Sequence, residues 1–361
     1  MHRHGPATPD EAAERHLLHR RELLQGAISA GLLTGSRRLA AQERPASTQP
    51  NRTAIREENQ RAGTTDWMLS KPWYVGPHVR VSFDRPYGKY CQVVDAPLSA
   101  GSGEFLLWEF PFAYWMERHG YDVTYLSKID TQTDPAGLRR GKGLLCVGHD
   151  EYWTLEMFQH VQAAVAAGTS VGFFSGDTCW GRIAMFPNHR GDPHRAISRI
   201  DHFGSKDAVS ATAYPEILDF PHQSPDQSTL IGARDTYPIT GGGDWICVAD
   251  DHWLFAGTGM KNGDRIPGLV GWEWEGTPAD IPGLQVLATG PTDNGSAKGT
   301  YTATIYPGPR GNVVFNASTI WWGDGLAAPP GYVRPKVYTE PQGPDKRVQR
   351  ITHNLLERMR G

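Results

Sequence analysis

Two short apolar runs, residues 144–147 and 170–174, flank a segment with helical periodicity over residues 154–167. Each run ends abruptly in a polar cluster. This order predicts a strand, a helix and a second strand that together form a βαβ unit. In open α/β sheets, ligands bind beyond the carboxyl ends of the strands. The candidate site residues at these ends are His149, Asp150, Glu151 and Asp177.

The preceding residues add more strands and helices to this pattern. The β-branched residues at 79–83 predict a strand, and alternation over residues 121–126 predicts another. Apolar positions at helical spacing predict a helix over residues 105–119, and a short helix is expected over residues 133–140. Strands that alternate with helices in this way predict the fold class α/β, with a parallel, doubly wound sheet.

The pattern changes from about residue 187 to residue 299, where short apolar runs stand between Gly, Pro and Asp clusters. This region is predicted to be a β-rich elaboration on the α/β core. Residues 301–306 and 312–318 predict a hairpin that returns to the edge of the sheet. Residues 348–359 predict an amphipathic helix that covers a sheet face. The α/β domain as a whole is expected to span residues 79–361.

The first 45 residues resemble a twin-arginine export signal followed by a linker. Arg20 and Arg21 form the pair, a weakly apolar run follows, and Ala41 is a plausible cleavage point. This interpretation predicts a periplasmic or secreted protein, and an amphipathic helix at a frayed terminus is the alternative. The apolar run is too short to span a bilayer. Residues 46–78 are expected to form an extended arm.

Composition narrows the class of ligand. The formal net charge of −3 over 361 residues gives no electrostatic reason to expect nucleic acid or an anionic membrane as a partner. The four cysteines show no C-x-x-C spacing, so neither a zinc site nor a disulfide framework is indicated. A small molecule is therefore the expected partner, and the sequence leaves the oligomeric state open.

Five motifs in order resemble the C-terminal domain of the N,N-dimethylformamidase large (beta) subunit family, over about residues 79–360. They are SFDRPY at 82–87, GYDVTYLSKID at 120–130, GHDEYW at 148–153, FFSGDTCW at 173–180 and GWEWE at 271–275. The resemblance implies a flavodoxin-like fold related to class I glutamine amidotransferases. Their G-x-C-x-G nucleophile motif is absent from this sequence, so glutaminase activity is not expected.

The resemblance also implies a mononuclear iron, Fe3+, held by two tyrosines and a glutamate. Glu151 matches the glutamate and Tyr87 the first tyrosine, while Tyr125 is preferred to Tyr90 or Tyr74 as the second. Carboxylate and phenolate oxygens are hard donors that suit a trivalent cation.

Three further residues are implied as catalytic groups beside Glu151. His149 matches a neighbouring histidine, and Glu273 matches a distal glutamate. Asp177 stands where the family pattern has asparagine, and an anion there would oppose an oxyanion in the transition state unless it is protonated.

The leading functional hypothesis is an exported, metal-dependent hydrolase of the carbon–nitrogen bond of a small amide, in which metal-activated water attacks the amide. One alternative is a metal-free hydrolase that uses Glu151, Asp177 and Glu273 as acid and base. Another is a non-catalytic or carbohydrate-binding cell-envelope protein that uses its Trp-rich segments, although those tryptophans also suit packing. A purely structural interpretation makes Asp150 and Glu151 acids at a helix amino terminus.

Overall fold

A computed structural model describes residues 80–84, 105–204, 224–332 and 343–361. The predicted export signal at 1–45, the predicted arm at 46–78 and Tyr87 lie outside the described residues.

The larger of two sheets has seven strands in the order β2-β4-β11-β10-β9-β7-β8. Strands β2, β4 and β11 run parallel to one another, and the other pairings in this sheet are antiparallel. The strands are β2 (Gly143–His149), β4 (Ser170–Gly176), β7 (Ala233–Ile246), β8 (Arg265–Pro278), β9 (Gln285–Asp293), β10 (Lys298–Pro307) and β11 (Val313–Asn316).

The smaller sheet has four strands in the order β1-β6-β5-β3. Only the pairing of β3 with β5 is parallel among these described strands. The strands are β1 (Arg80–Ser82), β3 (Tyr152–Trp153), β5 (Gly181–Phe186) and β6 (Ala196–His202).

Five α-helices and several shorter turns connect and cover the sheets in the described residues. The α-helices are α1 (Phe110–Arg118), α2 (Lys128–Thr133), α3 (Leu155–Ala166), α4 (Ser228–Ile231) and α5 (Lys346–Arg360). A π-helical turn, Phe105–Glu109, leads into α1. The short 3₁₀ turns are Gly137–Arg139, Trp253–Phe255 and Ile320–Gly325.

The predicted βαβ unit is present as β2, α3 and β4. The Thr154 hydroxyl caps α3 by accepting a hydrogen bond from the Met157 N–H at 3.0 Å. Strand β4 is buried along its whole length because the larger sheet is covered on both faces. Consecutive residues Phe173 and Phe174 accordingly belong to different core clusters, as the alternation of side chains along a strand requires.

The prediction of a parallel, doubly wound sheet of the flavodoxin-like, class I glutamine amidotransferase-related kind is wrong. Six of the nine pairings between described strands are antiparallel, and the molecule is rich in β-structure. Residues 121–126 form no strand, although their polarity alternates. Tyr121 and Val123 pack on the core, while Asp122 and Thr124 are exposed. The alternation in polarity therefore shows that one side of this segment is buried, but it does not show that the backbone pairs with a strand.

The strand predicted at 79–83 exists as β1, but it pairs with β6 in the smaller sheet. The β-rich region is also more than an elaboration, since β7, β8 and β9 belong to the same sheet as the βαβ unit. The predicted hairpin is confirmed as β10 and β11, but it does not lie at the edge of the sheet, because β11 pairs with β4 and β10 pairs with β9. Helix α5 is likewise confirmed, and its Met359 lies against the β2 and β4 glycines, Gly143 and Gly172.

Candidate active site

Three ionisable side chains meet where β2 ends. His149 is the last residue of β2, and Glu151 follows two residues later. The Nε2 atom of His149 lies 3.1 Å from Oε2 of Glu151 and 3.3 Å from Oε2 of Glu273 on β8. The three side chains are only 8, 11 and 6 % exposed, respectively. A buried imidazole therefore lies within contact distance of two buried carboxylates.

Gly176, the last residue of β4, explains how β8 reaches this point. A Cβ atom at Gly176 would lie 2.5 Å from the carbonyl carbon of Glu273 and 3.0 Å from the backbone nitrogen of Trp274. Only glycine allows the two backbones to approach so closely. The glycine thus places Glu273 beside the carboxyl ends of β2 and β4.

The turn after β4 brings Asp177 to the same place. Asp177 and Cys179 both have left-handed backbones, with φ of 53° and 58°. Two hydrogen bonds hold this conformation: the Thr178 N–H donates to Oε1 of Glu275 at 2.8 Å, and the Cys179 N–H donates to the Asp150 carbonyl at 2.9 Å. Left-handed non-glycine residues persist where surrounding contacts fix them, and they cluster at functional sites.

Asp177 is 2 % exposed, and its Oδ1 atom has no hydrogen-bond partner among the described residues. Burial raises the pKa of its carboxyl well above the ordinary range, and the charges of Glu273, Glu151, Asp235 and Glu275 raise it further. A carboxyl that keeps its proton is an O–H donor. Asp177 can then donate a hydrogen bond, as the asparagine expected at this position would.

Glu275 is the buried acid beneath this turn. It lies two residues beyond Glu273 on β8, and its backbone N–H and C=O both bind the Ser318 hydroxyl, at 2.9 and 2.6 Å. Burial raises the pKa of the Glu275 carboxyl to about 7, while hydrogen bonds from Thr178 and Asn316 oppose the rise. Asp235 faces Glu275 directly across β7 and β8, an arrangement that disfavours two charges.

The raised pKa of Glu275 predicts a pH-dependent stability for protein kept metal-free with a chelator. Below pH 4.5 the carboxyl is protonated in both folded and unfolded chains. Between pH 4.5 and about 7 only the unfolded chain loses the proton, so stability falls as pH rises. Over that range, the free energy of unfolding should fall by about 3 kcal/mol relative to Glu275→Gln. Urea unfolding of both proteins at several pH values measures this difference, and parallel curves would contradict it.

Tyr152 is a site residue that sequence reasoning missed. Its ring lies over Gly181 of β5, where any Cβ would collide with it, and meets the His149 ring edge-on at 6.4 Å. Burial raises the pKa of the Tyr152 phenol above its ordinary value, and the charge and hydrogen bond of Glu151 raise it further. The phenol is therefore a hydrogen-bond donor to Glu151. The two-residue strand β3 is too short to show a pattern that would have revealed this role.

Asp150 has a structural role instead. Its carboxylate pairs with Lys128 of α2 and accepts a hydrogen bond from Nε1 of Trp153 at 3.0 Å. The interpretation of Asp150 and Glu151 as acids at a helix amino terminus is wrong, because α3 begins at Leu155 after the Thr154 cap.

Of the two predicted tyrosine ligands the structure describes Tyr125, which is not part of the buried cluster. Tyr125 is 57 % exposed, and its hydroxyl donates to Oε1 of Glu117 at 2.7 Å. Tyr87 lies outside the described residues. Both assignments stay predictions.

An aromatic group borders the cluster on another side. The Trp272 ring lies 5.4 Å from the His149 ring and is stacked on Trp108 at 6.2 Å, with the two planes 1° apart. Trp274, Trp321 and Trp322 are buried, which fits packing and leaves them unavailable as a carbohydrate surface.

The residues in this cluster fit a bound metal ion. One donor atom each from His149, Glu151 and Glu273 lie within 4.8 Å of one another. Several buried carboxylates around one imidazole give an excess of negative charge that a cation would compensate. Two carboxylates beside an imidazole form a donor set that suits a hard cation such as iron.

Fold and site together define a β-rich protein with a buried histidine–carboxylate centre at the end of a parallel strand. The chain belongs to the family described as N,N-dimethylformamidase beta subunit-like, C-terminal, whose model matches residues 59–337. This match confirms the resemblance found in the sequence. A search of curated proteins found no match.

The described helices do not include one with the length and apolar character needed to cross a membrane.

Proposed function

We propose that the protein is a metal-dependent hydrolase of carbon–nitrogen amide bonds and that the His149, Glu151 and Glu273 cluster is its active centre. The observation that carries this proposal is the pair of contacts from His149 Nε2 to the two buried carboxylates. Membership of the N,N-dimethylformamidase-like family supports amides as the substrate class.

Hydrolysis adds water to the amide carbonyl carbon and breaks the bond to nitrogen. His149 or Glu273 accepts a proton from the attacking water, and the neighbouring carboxylates compensate the positive charge if the imidazole takes it. The same group can then return the proton to the leaving amine. Each such proton transfer lowers the barrier by the equivalent of about 10²- to 10⁴-fold in rate.

Asp177 and Tyr152 supply the hydrogen bonds that this chemistry requires. The protonated Asp177 carboxyl donates to the oxyanion that forms from the carbonyl oxygen. The Tyr152 phenol donates to Glu151 and thereby orients its carboxylate.

Glu151 is the proposed ligand of a mononuclear iron, together with the two predicted tyrosine ligands, Tyr87 and Tyr125. His149 and Glu273 lie beside Glu151, where they could take a proton from a water bound to such an ion. A bound hard cation would supply Lewis-acid polarisation of the amide carbonyl.

The test is hydrolysis by the purified full chain, assayed before and after iron reconstitution. Release of amine from N,N-dimethylformamide and of ammonia from formamide is measured beside the iron content. We expect about one iron per chain, a visible phenolate-to-iron absorption band and activity that a chelator removes. Activity that resists chelation would overturn the metal dependence, and a reconstituted protein that hydrolyses no amide would overturn the hydrolase proposal.

Export by the twin-arginine route is a separate proposal, supported by the Arg20–Arg21 pair and the apolar run that follows it. It would place the hydrolase in the periplasm or outside the cell.

A further inference from the structure

Asp150 stands between His149 and Glu151 in the sequence, but its carboxylate makes its contacts elsewhere. Asp150 is only 8 % exposed, and its Oδ1 atom contacts the ammonium of Lys128 on α2 and accepts a hydrogen bond from Nε1 of Trp153 at 3.0 Å. The Nζ atom of Lys128 also lies 4.8 Å from the centre of the Trp153 ring. A cation and an indole N–H therefore hold one buried carboxylate.

The backbone of the same segment is bound to the turn that carries Asp177. The Asp150 carbonyl accepts a hydrogen bond from the Cys179 N–H at 2.9 Å, and the Glu151 carbonyl accepts one from the Gly181 N–H at 2.9 Å. Cys179 lies two residues beyond Asp177. These backbone hydrogen bonds therefore set where Glu151 lies relative to Asp177.

Trp153 fixes the side chain of Asp150 relative to its own backbone. Its Nε1 atom lies 3.0 Å from Oδ1 of Asp150 and 3.0 Å from the Asp150 carbonyl oxygen, so one donor binds both groups. The indole is itself buried and packs on Phe173 of β4, with the ring centres 6.5 Å apart. Asp150 is thereby held at a defined position relative to the core.

The contact between Lys128 and Asp150 is better suited to fixing geometry than to adding stability. Lys128 is 38 % exposed, so water screens the pair and weakens its contribution to the free energy of unfolding. Catalytic geometry is much more sensitive, because a displacement of about 1 Å lowers a rate about 10²-fold. A shift of the Asp150 backbone would move Glu151, the adjacent residue, and would release the hydrogen bond from Cys179.

We propose that Asp150 is a positioning residue for the proposed hydrolysis and that its contact with Lys128 holds Glu151 and Asp177 at their working separation. Asp150 acts through the backbone and not by touching the reacting atoms. The effect on rate rests on the proposed function. The physical content of the proposal, a backbone fixed by the Lys128–Asp150 pair, can be measured in protein that hydrolyses nothing.

Two variants break the pair from opposite sides. Asp150→Asn keeps the shape of the side chain and an acceptor for Trp153, but it removes the charge that binds Lys128. Lys128→Met keeps an unbranched chain and removes the ammonium. Lys128 is the more exposed partner, so Lys128→Met tests the same contact if Asp150→Asn fails to fold. Lys128→Arg, which keeps a cation, is the conservative variant.

The first measurement is hydrogen exchange of the full chain, followed by mass spectrometry. In both disruptive variants, the peptide that contains residues 177–181 should exchange about tenfold faster, because the Cys179 and Gly181 amides lose protection. The peptide that contains residues 313–317 should be unchanged, although its Ala317 N–H also binds a carbonyl of β4, at 2.8 Å. Equal acceleration of both peptides would report a general loss of stability. That result, or no acceleration of either peptide, would overturn the proposal.

The second measurement is hydrolysis of N,N-dimethylformamide, expressed per iron-loaded chain. Asp150→Asn and Lys128→Met should lower kcat about 10- to 100-fold and leave KM and iron content unchanged. Lys128→Arg should retain kcat within about threefold of the wild type. A role in stability alone would lower the yield of folded protein but not kcat per iron-loaded chain.

Arg140→Met is the matched control. Arg140 pairs with Asp134, the residue that ends α2, at 3.0 Å, and both side chains are exposed. Its replacement should leave both measurements unchanged. Selective acceleration of the 177–181 peptide in a protein whose wild type hydrolyses no amide would support the fixed backbone and contradict the hydrolase. A wild type that hydrolyses amides, with unchanged kcat in both disruptive variants, would overturn the positioning role and leave the hydrolase standing.

Discussion

Replacing Glu151 with glutamine is expected to remove both metal binding and hydrolysis while leaving the protein folded. Glutamine has the shape of glutamate and can still accept a hydrogen bond from Tyr152, but it lacks the negative charge that attracts a cation. Even groups that only orient a ligand change metal affinity by about 10- to 100-fold, so loss of a ligand should cost at least about 100-fold. Hydrolysis should fall about 10³-fold, since charge stabilisation and proton transfer are both impaired.

The measurement is iron content after reconstitution, together with amine release from N,N-dimethylformamide. Glu156→Gln is the matched control, because Glu156 is an exposed acid in the first turn of α3 and lies in the same stretch of sequence. It should behave as the wild type. A Glu151→Gln protein that retains iron and activity would show that Glu151 is not a ligand and would move the centre elsewhere.

The site residues that could be predicted from sequence are those that lie at or just after the carboxyl ends of consecutive strands. His149 ends β2, Glu151 lies two residues further on, and Asp177 directly follows β4. The carboxyl ends of these parallel strands meet at one edge of the sheet. Glu273 came instead from the family resemblance, because no local pattern shows that β8 would pass this edge. The close approach depends on Gly176, and a single glycine in a strand has many explanations.

The fold was predicted less well, and for a related reason. Hydrophobic periodicity reports which side of a segment is buried, but it does not report the segment's pairing partner. Residues 121–126 alternate because one side packs on the core, yet their backbone joins no strand. Strand β11 shows the opposite case: it is buried like a parallel strand, pairs in parallel with β4, and reaches that position through an antiparallel hairpin.

The position of Trp272 beside His149 could not be predicted from sequence either. GWEWE reads as a simple alternation of aromatic and acidic positions, which suggests that Trp272 and Trp274 share an environment. In the structure Trp274 is fully buried, whereas Trp272 is partly exposed beside His149. The difference arises from the tertiary packing of Trp108 and Trp321 around Trp272, which local sequence does not encode.

Replacing Gly176 with alanine is expected to disable the site without touching any ionisable group. The added Cβ would overlap the Glu273 carbonyl, which is backbone and cannot rotate away as a side chain could. Strands β4 and β8 must then separate at this point, and Asp177, the next residue, must move relative to Glu273. Overpacking of this kind costs about 1–3 kcal/mol in the free energy of unfolding. A displacement of about 1 Å at catalytic groups lowers the rate about 10²-fold.

Urea unfolding and amide hydrolysis measure the two consequences of Gly176→Ala separately. Gly343→Ala is the control, since Gly343 does not have a left-handed backbone and a Cβ there meets no described atom within 4 Å. Hydrolysis by Gly176→Ala should fall by a larger factor than its iron affinity, because Glu151 follows β2 and is not carried by either separated strand. If the variant were inactive only because it lost iron, activity and iron content would fall together. A larger fall in activity than in iron affinity would instead show that the distance between Asp177 and Glu273 limits the reaction. If Gly176→Ala hydrolyses amides as fast as Gly343→Ala, then the close passage of β4 and β8 has no catalytic role and Asp177 does not act together with Glu273.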